Sequence, residues 1–142
     1  MLVKDIMTRD VVTIYPDATL KEVGVILKEK RISGIPVVDK DGKIVGIITL
    51  TDMLKILSQI YKWREIEKKA PELKLSECFE KEKLEAKVRN IMTKNVFTLE
   101  EDRTLEDIMR LMFDRSIHTI PVTKDGSLVG IIGKRDLVYA CF

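Results

Sequence analysis

The sequence predicts an α/β fold made of two copies of one β-α-β-β-α repeat. Three observations carry this expectation: a long internal identity, the same order of strand and helix signals in each copy, and a Lys- and Glu-rich stretch between the copies. VKDIMTRDVVTI (Val3 to Ile14) returns as VRNIMTKNVFTL (Val88 to Leu99), a constant shift of 85 residues, 88 less 3. Asp17, Thr19 and Leu20 recur as Asp102, Thr104 and Leu105, and Ile35-Pro36-Val37 recurs as Ile120-Pro121-Val122. After a one-residue deletion, DGKIVGII (Asp41 to Ile48) returns as DGSLVGII (Asp125 to Ile132), and Asp52 returns as Asp136. Roughly twenty identities over about fifty aligned positions exclude coincidence.

Each element of the copy has a local cause. Val11 to Ile14 is a short β-branched run ended by Pro16-Asp17, which predicts a strand. Thr19 to Glu22 has the form of a capping box and opens a helix whose Leu20, Val23, Gly24 and Leu27 share one face. In the second copy Thr104 opens the helix, and Leu105, Ile108, Met109 and Met112 take the same places, so both stripes are expected in the core. Two strands follow, Ile35 to Val38 and Ile44 to Thr49, joined by Asp-Lys-Asp-Gly, where Gly42 supplies the positive φ a hairpin needs. The last helix is expected near Asp52, with Met53, Ile56, Leu57, Ile60 and Arg64 on one face, until Ala70-Pro71 stops it. Its counterpart starts at Asp136. The chain thus divides into a first repeat (1–70), a connector (71–87) with one helical turn, and a second repeat (88–142). A three-stranded sheet with two helices on one face leaves the other face apolar, and the second copy is what covers it.

Composition narrows the function classes. A formal net charge of +2 with Lys and Glu interspersed gives no electrostatic footprint for nucleic acid. No apolar run approaches the ~18 to 20 residues of a membrane span, and MLVKDIMTRD lacks the apolar core of a signal peptide, so a cytoplasmic protein is expected. Cys78 and Cys141 lie in unlike contexts beside a single histidine, which argues against both zinc and a disulfide. One histidine and unpaired carboxylates also offer no nucleophile with an oriented base, so no catalytic residues and no enzyme are expected.

The IMT openings, the GIPVV and HTIPV strands, the DG hairpins and the two G-I-I-x-x-x-D endings resemble a tandem pair of CBS domains, over nearly the whole chain outside the connector. The resemblance implies a disc of two repeats related by a pseudo-twofold axis, with two clefts that in relatives hold AMP, ADP, ATP or S-adenosylmethionine as a regulatory ligand. It also implies pairing of discs, hence a homodimer, and a regulated protein that the sequence does not name. Carried over by motif, the first cleft joins Thr49, Thr51 and Asp52 to Val96, Phe97, His118, Thr119 and Ile120. The second joins Gly133, Lys134, Arg135 and Asp136 to Val11, Val12, Ser33, Gly34 and Ile35.

Each of these residues also has a plainer reading. Asp52 and Asp136 stand where a strand meets a helix, and an Asp there caps the helix. An ionised carboxylate also accepts hydrogen bonds from both hydroxyls of a ribose, and a helix start suits a phosphate. Thr49 and Thr51 are strand-end threonines or phosphate and ribose contacts. His118 is a structural histidine, or one aimed at phosphate, where it can take up a proton. Lys134 and Arg135 are mildly unfavourable at a helix start, which points to an anionic partner, whereas Gly133 leaves its cleft one hydroxyl short. The first cleft is therefore expected to prefer a monophosphate and the second a longer phosphate chain. Tyr61 and Trp63 fall on different faces of the long helix, so at least one is expected at the surface, under the connector or in a subunit contact. A purely structural module with vestigial clefts and a sensor of S-adenosylmethionine remain the alternatives.

Overall fold

The computed structural model describes residues 1–66 and 81–142. In chain order the first part holds helix α1 (Val3–Ile6), helix α2 (Leu20–Lys30), strands β1 (Gly34–Val38) and β2 (Ile44–Thr49), and helix α3 (Leu50–Ile66). The second holds α4 (Lys81–Leu84), a 3-10 turn at Val88–Asn90, β3 (Leu99–Glu100), α5 (Leu105–Asp114), β4 (Thr119–Lys124), β5 (Ser127–Gly133) and α6 (Lys134–Tyr139). The expected β-α-β-β-α order stands in the second copy, while in the first the opening strand is reduced to a single bridge at Ile14. The end of the long helix at Ala70-Pro71 and residues 71–80 of the connector lie outside the described residues.

The strands pair alike in the two copies. β1 and β2 run antiparallel with Gly34 opposite Thr49, and β4 and β5 run antiparallel with Thr119 opposite Gly133. Gly42 and Gly126 turn both hairpins at φ of 79° and 83°, a region a side chain strains. The first strand of each copy is much shorter than expected. In the first copy only Ile14 bridges, with its N–H donating to the Pro36 carbonyl and its own carbonyl accepting from Val38 N–H. Val11 to Thr13 meet no neighbouring strand, and a strand exists only where a partner exchanges hydrogen bonds with it. In the second copy the parallel pairing of β3 with β4 is two residues long.

The helices begin with reciprocal caps. Thr19 caps α2 with Glu22 answering, and Thr104 caps α5 with Asp107 answering. α3 starts two residues earlier than expected. Thr49 is its cap residue and Asp52 stands at the third helical position, so Asp52 completes a capping box rather than forming the cap itself. Asp136 does the same for α6 by accepting from Gly133 N–H at 2.7 Å.

The two openings change places. Val3 and Met7 lie in the core of the second repeat with Ile108, Met112, Ile120, Val122 and Ile132. Val88, with Ile91 and Met92 beside it, lies in the core of the first, among Leu20, Val23, Ile35 and Ile48. The central backbone contacts of this exchange have counterparts under the sequence shift. Val3 N–H donates to the Arg103 carbonyl as Val88 N–H donates to the Ala18 carbonyl, each at 2.8 Å. Thr8 exchanges both backbone hydrogen bonds with Ile131 as Thr93 does with Ile47. Met7 fills the space a side chain at Gly130 would need, and Met92 the space at Gly46. This reciprocity is the pseudo-twofold relation.

The symmetry fails at one face. Ile108 and Met112 are buried as expected, but Leu105 and Met109 are 36% and 40% exposed, so the stripe of α5 is only half core. In the first repeat the connector lies against the equivalent position: α4 contacts α2, and Leu20 N–H donates to the Ala86 carbonyl. Leu105 has no such cover among the described residues. Tyr61 is exposed, while the side chain of Trp63 lies outside the described residues.

Candidate functional site

Between the repeats lies a cavity of about 450 Å³, within the range of small-molecule sites. Its floor is the junction of β2 and α3. There Asp52 is buried, and its carboxylate accepts three hydrogen bonds, which leaves Oδ1 room for one more: Oδ2 accepts from Thr49 N–H (2.8 Å) and the Thr49 hydroxyl (3.1 Å), and Oδ1 accepts from the Thr93 hydroxyl (3.0 Å). The cap and the tie to the other repeat are thus one group. Thr51 follows on the same wall, exposed and facing the cavity.

The opposite wall comes from the second repeat. Val96 and Phe97, before β3, and His118 and Thr119, at the start of β4, line it. Of the residues expected in this cleft, Ile120 alone is absent from the wall, because it is fully buried in the second core. Two residues expected in the other cleft, Ser33 and Lys134, line this one instead. Ser33 Oγ lies 2.9 Å from Thr119 Oγ1, and a Cβ at Gly34 would stand 3.0 Å from Thr119 Cγ2. Gly34 and Thr119 are equivalent positions, so a small residue in one copy makes room for the larger one in the other.

Sequence reasoning missed Lys55, Thr93, Asn95, Arg115 and Ser116, all on the wall. Arg115 lies over the Phe97 ring, 5.5 Å from its centre. Thr93 was legible as the threonine of the second IMT, but that it reaches Asp52 required the exchanged openings. Long cations such as Lys55 and Arg115 give no sequence signal, because such side chains usually end in solvent.

Several of the residues expected in the second cleft are engaged by other groups of the protein. Asp136 accepts from Gly133 N–H and, through Oδ1, from the Thr8 hydroxyl at 2.8 Å. Arg135 donates to the Arg31 carbonyl across the repeats at 2.9 Å. Ile35 is core, Gly34 is buried, and Val11 and Val12 are half-buried, with Val12 packed on the first core. A separate hollow of about 650 Å³ lies beside Tyr15, Asp39 and the Asp17–Arg89 ion pair, away from every repeated motif residue of the clefts. Among the described residues no group of three His, Cys, Asp or Glu gathers to hold a metal ion, and no helix is long and apolar enough to cross a membrane.

The doubled α/β unit, its exchanged openings and a cavity at the junction define a paired-repeat module. The family model described as CBS domain matches residues 3–59 and 88–142, and the chain belongs to that family. It is similar to the uncharacterised protein MJ1426 of Methanocaldococcus jannaschii, at 38% identity over 99% of this chain and 90% of that protein. It is also similar to the inosine-5'-monophosphate dehydrogenase of the same organism, at 32% identity over 94% of this chain but only 22% of the dehydrogenase. Among solved structures it resembles the CBS domain pair of protein MJ0100 in complex with 5'-methylthioadenosine and S-adenosyl-L-methionine, with TM-score 0.77, 29% identity and coverage of 99% and 95%.

Proposed function

We propose that the chain is a non-catalytic regulatory module that binds an adenosine nucleotide in the cleft above Asp52 and passes the change to an interacting protein in the cytoplasm. One observation carries the reading: the cavity between the repeats gathers a carboxylate, hydroxyls and cations from both of them, so a ligand there touches both. Thr51 and His118 face the phosphate, Asp52 the ribose, and Val96 and Phe97 the base. Thr119 and Thr49 close the centre. The second cleft, at Asp136 with Lys134, Arg135, Val11, Val12, Ser33, Gly34 and Ile35, is the weaker candidate, because Ser33 and Lys134 line the cavity above Asp52 instead and Ile35 is core. The likeness to the MJ0100 pair favours a second reading, a sensor of S-adenosylmethionine or methylthioadenosine.

Thermal unfolding with AMP, ADP, ATP, S-adenosylmethionine and methylthioadenosine in turn tests both, since a ligand bound to the native state alone raises the midpoint by mass action. Asp52→Asn keeps one acceptor for the helix cap and removes the charge, and is expected to lose the shift. No shift with any adenosine compound leaves a structural module with vestigial clefts. We also propose a homodimer, on the apolar side chains that α3 and α5 leave at the surface, Leu54 and Phe113 among them.

A further inference from the structure

The walls of the Asp52 cleft bring together three cationic side chains from three elements: Lys55 of α3, Arg115 at the end of α5, and Lys134 of α6. Asp52 is the carboxylate on that wall among the described residues, and its hydrogen bonds there come from Thr49 and Thr93. No ion pair joins it to any of the three cations among the described residues. Nor does any of them form an ion pair with another carboxylate among the described residues. Arg115 is steadied on the Phe97 ring. Lys55 and Lys134 come from opposite repeats, and both are exposed at the cavity with no protein acceptor among the described residues.

We propose that this cleft is built for a nucleotide with two or three phosphates rather than one, and that Lys55 and Lys134 grip its phosphate chain from the two sides. The inference rests on the adenosine-nucleotide reading and goes further in naming the ligand class and the residues that select it. A single phosphate beside Thr51 and His118 leaves the two lysines without an anion, and each further phosphate supplies one. The same cations repel a ligand whose own charge is positive, such as a sulfonium nucleoside. The assignment reverses the expectation from the sequence, which placed Lys134, and with it the longer phosphate chain, in the other cleft. Because the lysines belong to different repeats, a phosphate chain between them ties one repeat to the other, which a monophosphate does not.

Isothermal titration calorimetry with AMP, ADP, ATP and inorganic tripolyphosphate, on the parent chain and on Lys55→Ala and Lys134→Ala, tests this. Affinity is expected to rise about tenfold from AMP to ADP and again to ATP, the order of a charge-assisted contact. Each substitution is expected to cost most with ATP and least with AMP, with the unliganded unfolding midpoint as the check on folding. AMP binding as tightly as ATP overturns the proposal while leaving the adenosine reading in place. Tripolyphosphate binding that either substitution weakens, with no nucleotide binding more tightly than it, upholds the phosphate-chain inference and removes the adenosine reading. Equal losses for every ligand, or no binding of any, overturn the proposal.

Discussion

The hydroxyl of Thr93 donates to Asp52 Oδ1 at 3.0 Å, and its counterpart Thr8 donates to Asp136 Oδ1 at 2.8 Å. Each bond joins the opening of one copy to the last helix of the other. The conserved geometry within one chain explains why both copies read I-M-T at the start and G-I-I-x-x-x-D at the end: the threonine and the aspartate are the two halves of one contact. Thr93→Val keeps the shape and removes the donor, leaving a buried carboxylate oxygen without it. It is expected to cost about 1.5 kcal/mol in chemical denaturation, the range for a hydrogen bond to a charged group, and Thr8→Val less, because that bond is exposed. Equal and negligible losses would mean that the bonds follow from the packing and contribute little to it.

The methionine beside each threonine makes a steric prediction. A Cβ at Gly46 would stand 2.4 Å from Met92 Sδ, and one at Gly130 the same distance from Met7 Sδ and 3.1 Å from the Thr8 carbonyl oxygen. Gly46→Ala is expected to destabilise the chain by about 1 to 3 kcal/mol through overpacking. Gly130→Ala is expected to cost more, since a backbone atom yields less than a thioether. Urea midpoints of the two variants give the order directly, and the reverse order refutes the argument.

Stability in acid is set in part by Glu100. The Thr123 hydroxyl holds its carboxyl below the usual carboxylate range, against some desolvation, and N–H donors of Asp125 and Gly126 add to the shift. A lowered folded-state pKa gives stability that is whole above the unfolded value, about 4.3, and that vanishes as pH falls through the folded one. Glu100→Gln is therefore expected to unfold at a lower temperature than the parent at pH 7, with the difference closing below about pH 4. A difference that grows in acid contradicts the assignment.

The dimer has its own test. Leu54 and Phe113 are 62% and 75% exposed on α3 and α5, large apolar groups with no partner among the described residues. Sedimentation at micromolar concentration is expected to give a dimer for the parent and a monomer for the pair Leu54→Asp and Phe113→Asp. A parent that sediments as a monomer removes the proposal, and so does a dimer unchanged by both charges.

Much of the fold was legible because strand and helix signals are local. Thr19 with Glu22 announced α2, and Asp39 to Gly42 announced the first hairpin, from neighbours in the chain. What the pattern did not contain was which copy each element packs against. Val3 to Thr8 and Val88 to Thr93 were recognisable as equivalent, but equivalence under a shift is the same whether each opening fills its own core or the other's. The exposure of Leu105 and Met109 was hidden for the same reason, since their helical spacing matches that of buried Leu20 and does not record that Ala86 lies over only one of the two sites. In the cleft, Asp52, Thr51 and His118 were reachable through their motifs, whereas Lys55 and Lys134 depended on which walls met.

The exchanged openings also govern what happens if the backbone is cut in the connector. The amino-terminal piece would carry Val3 and Met7, which belong in its partner's interior, and would lack Val88 and Met92, which belong in its own. The carboxy-terminal piece would have the mirror-image defect. Neither half holds the parts of a complete interior, so each should remain largely unstructured when isolated, and mixing them should restore the fold by complementation. Despite its doubled sequence, the molecule is expected to fold as a single unit and to melt in one calorimetric transition rather than two.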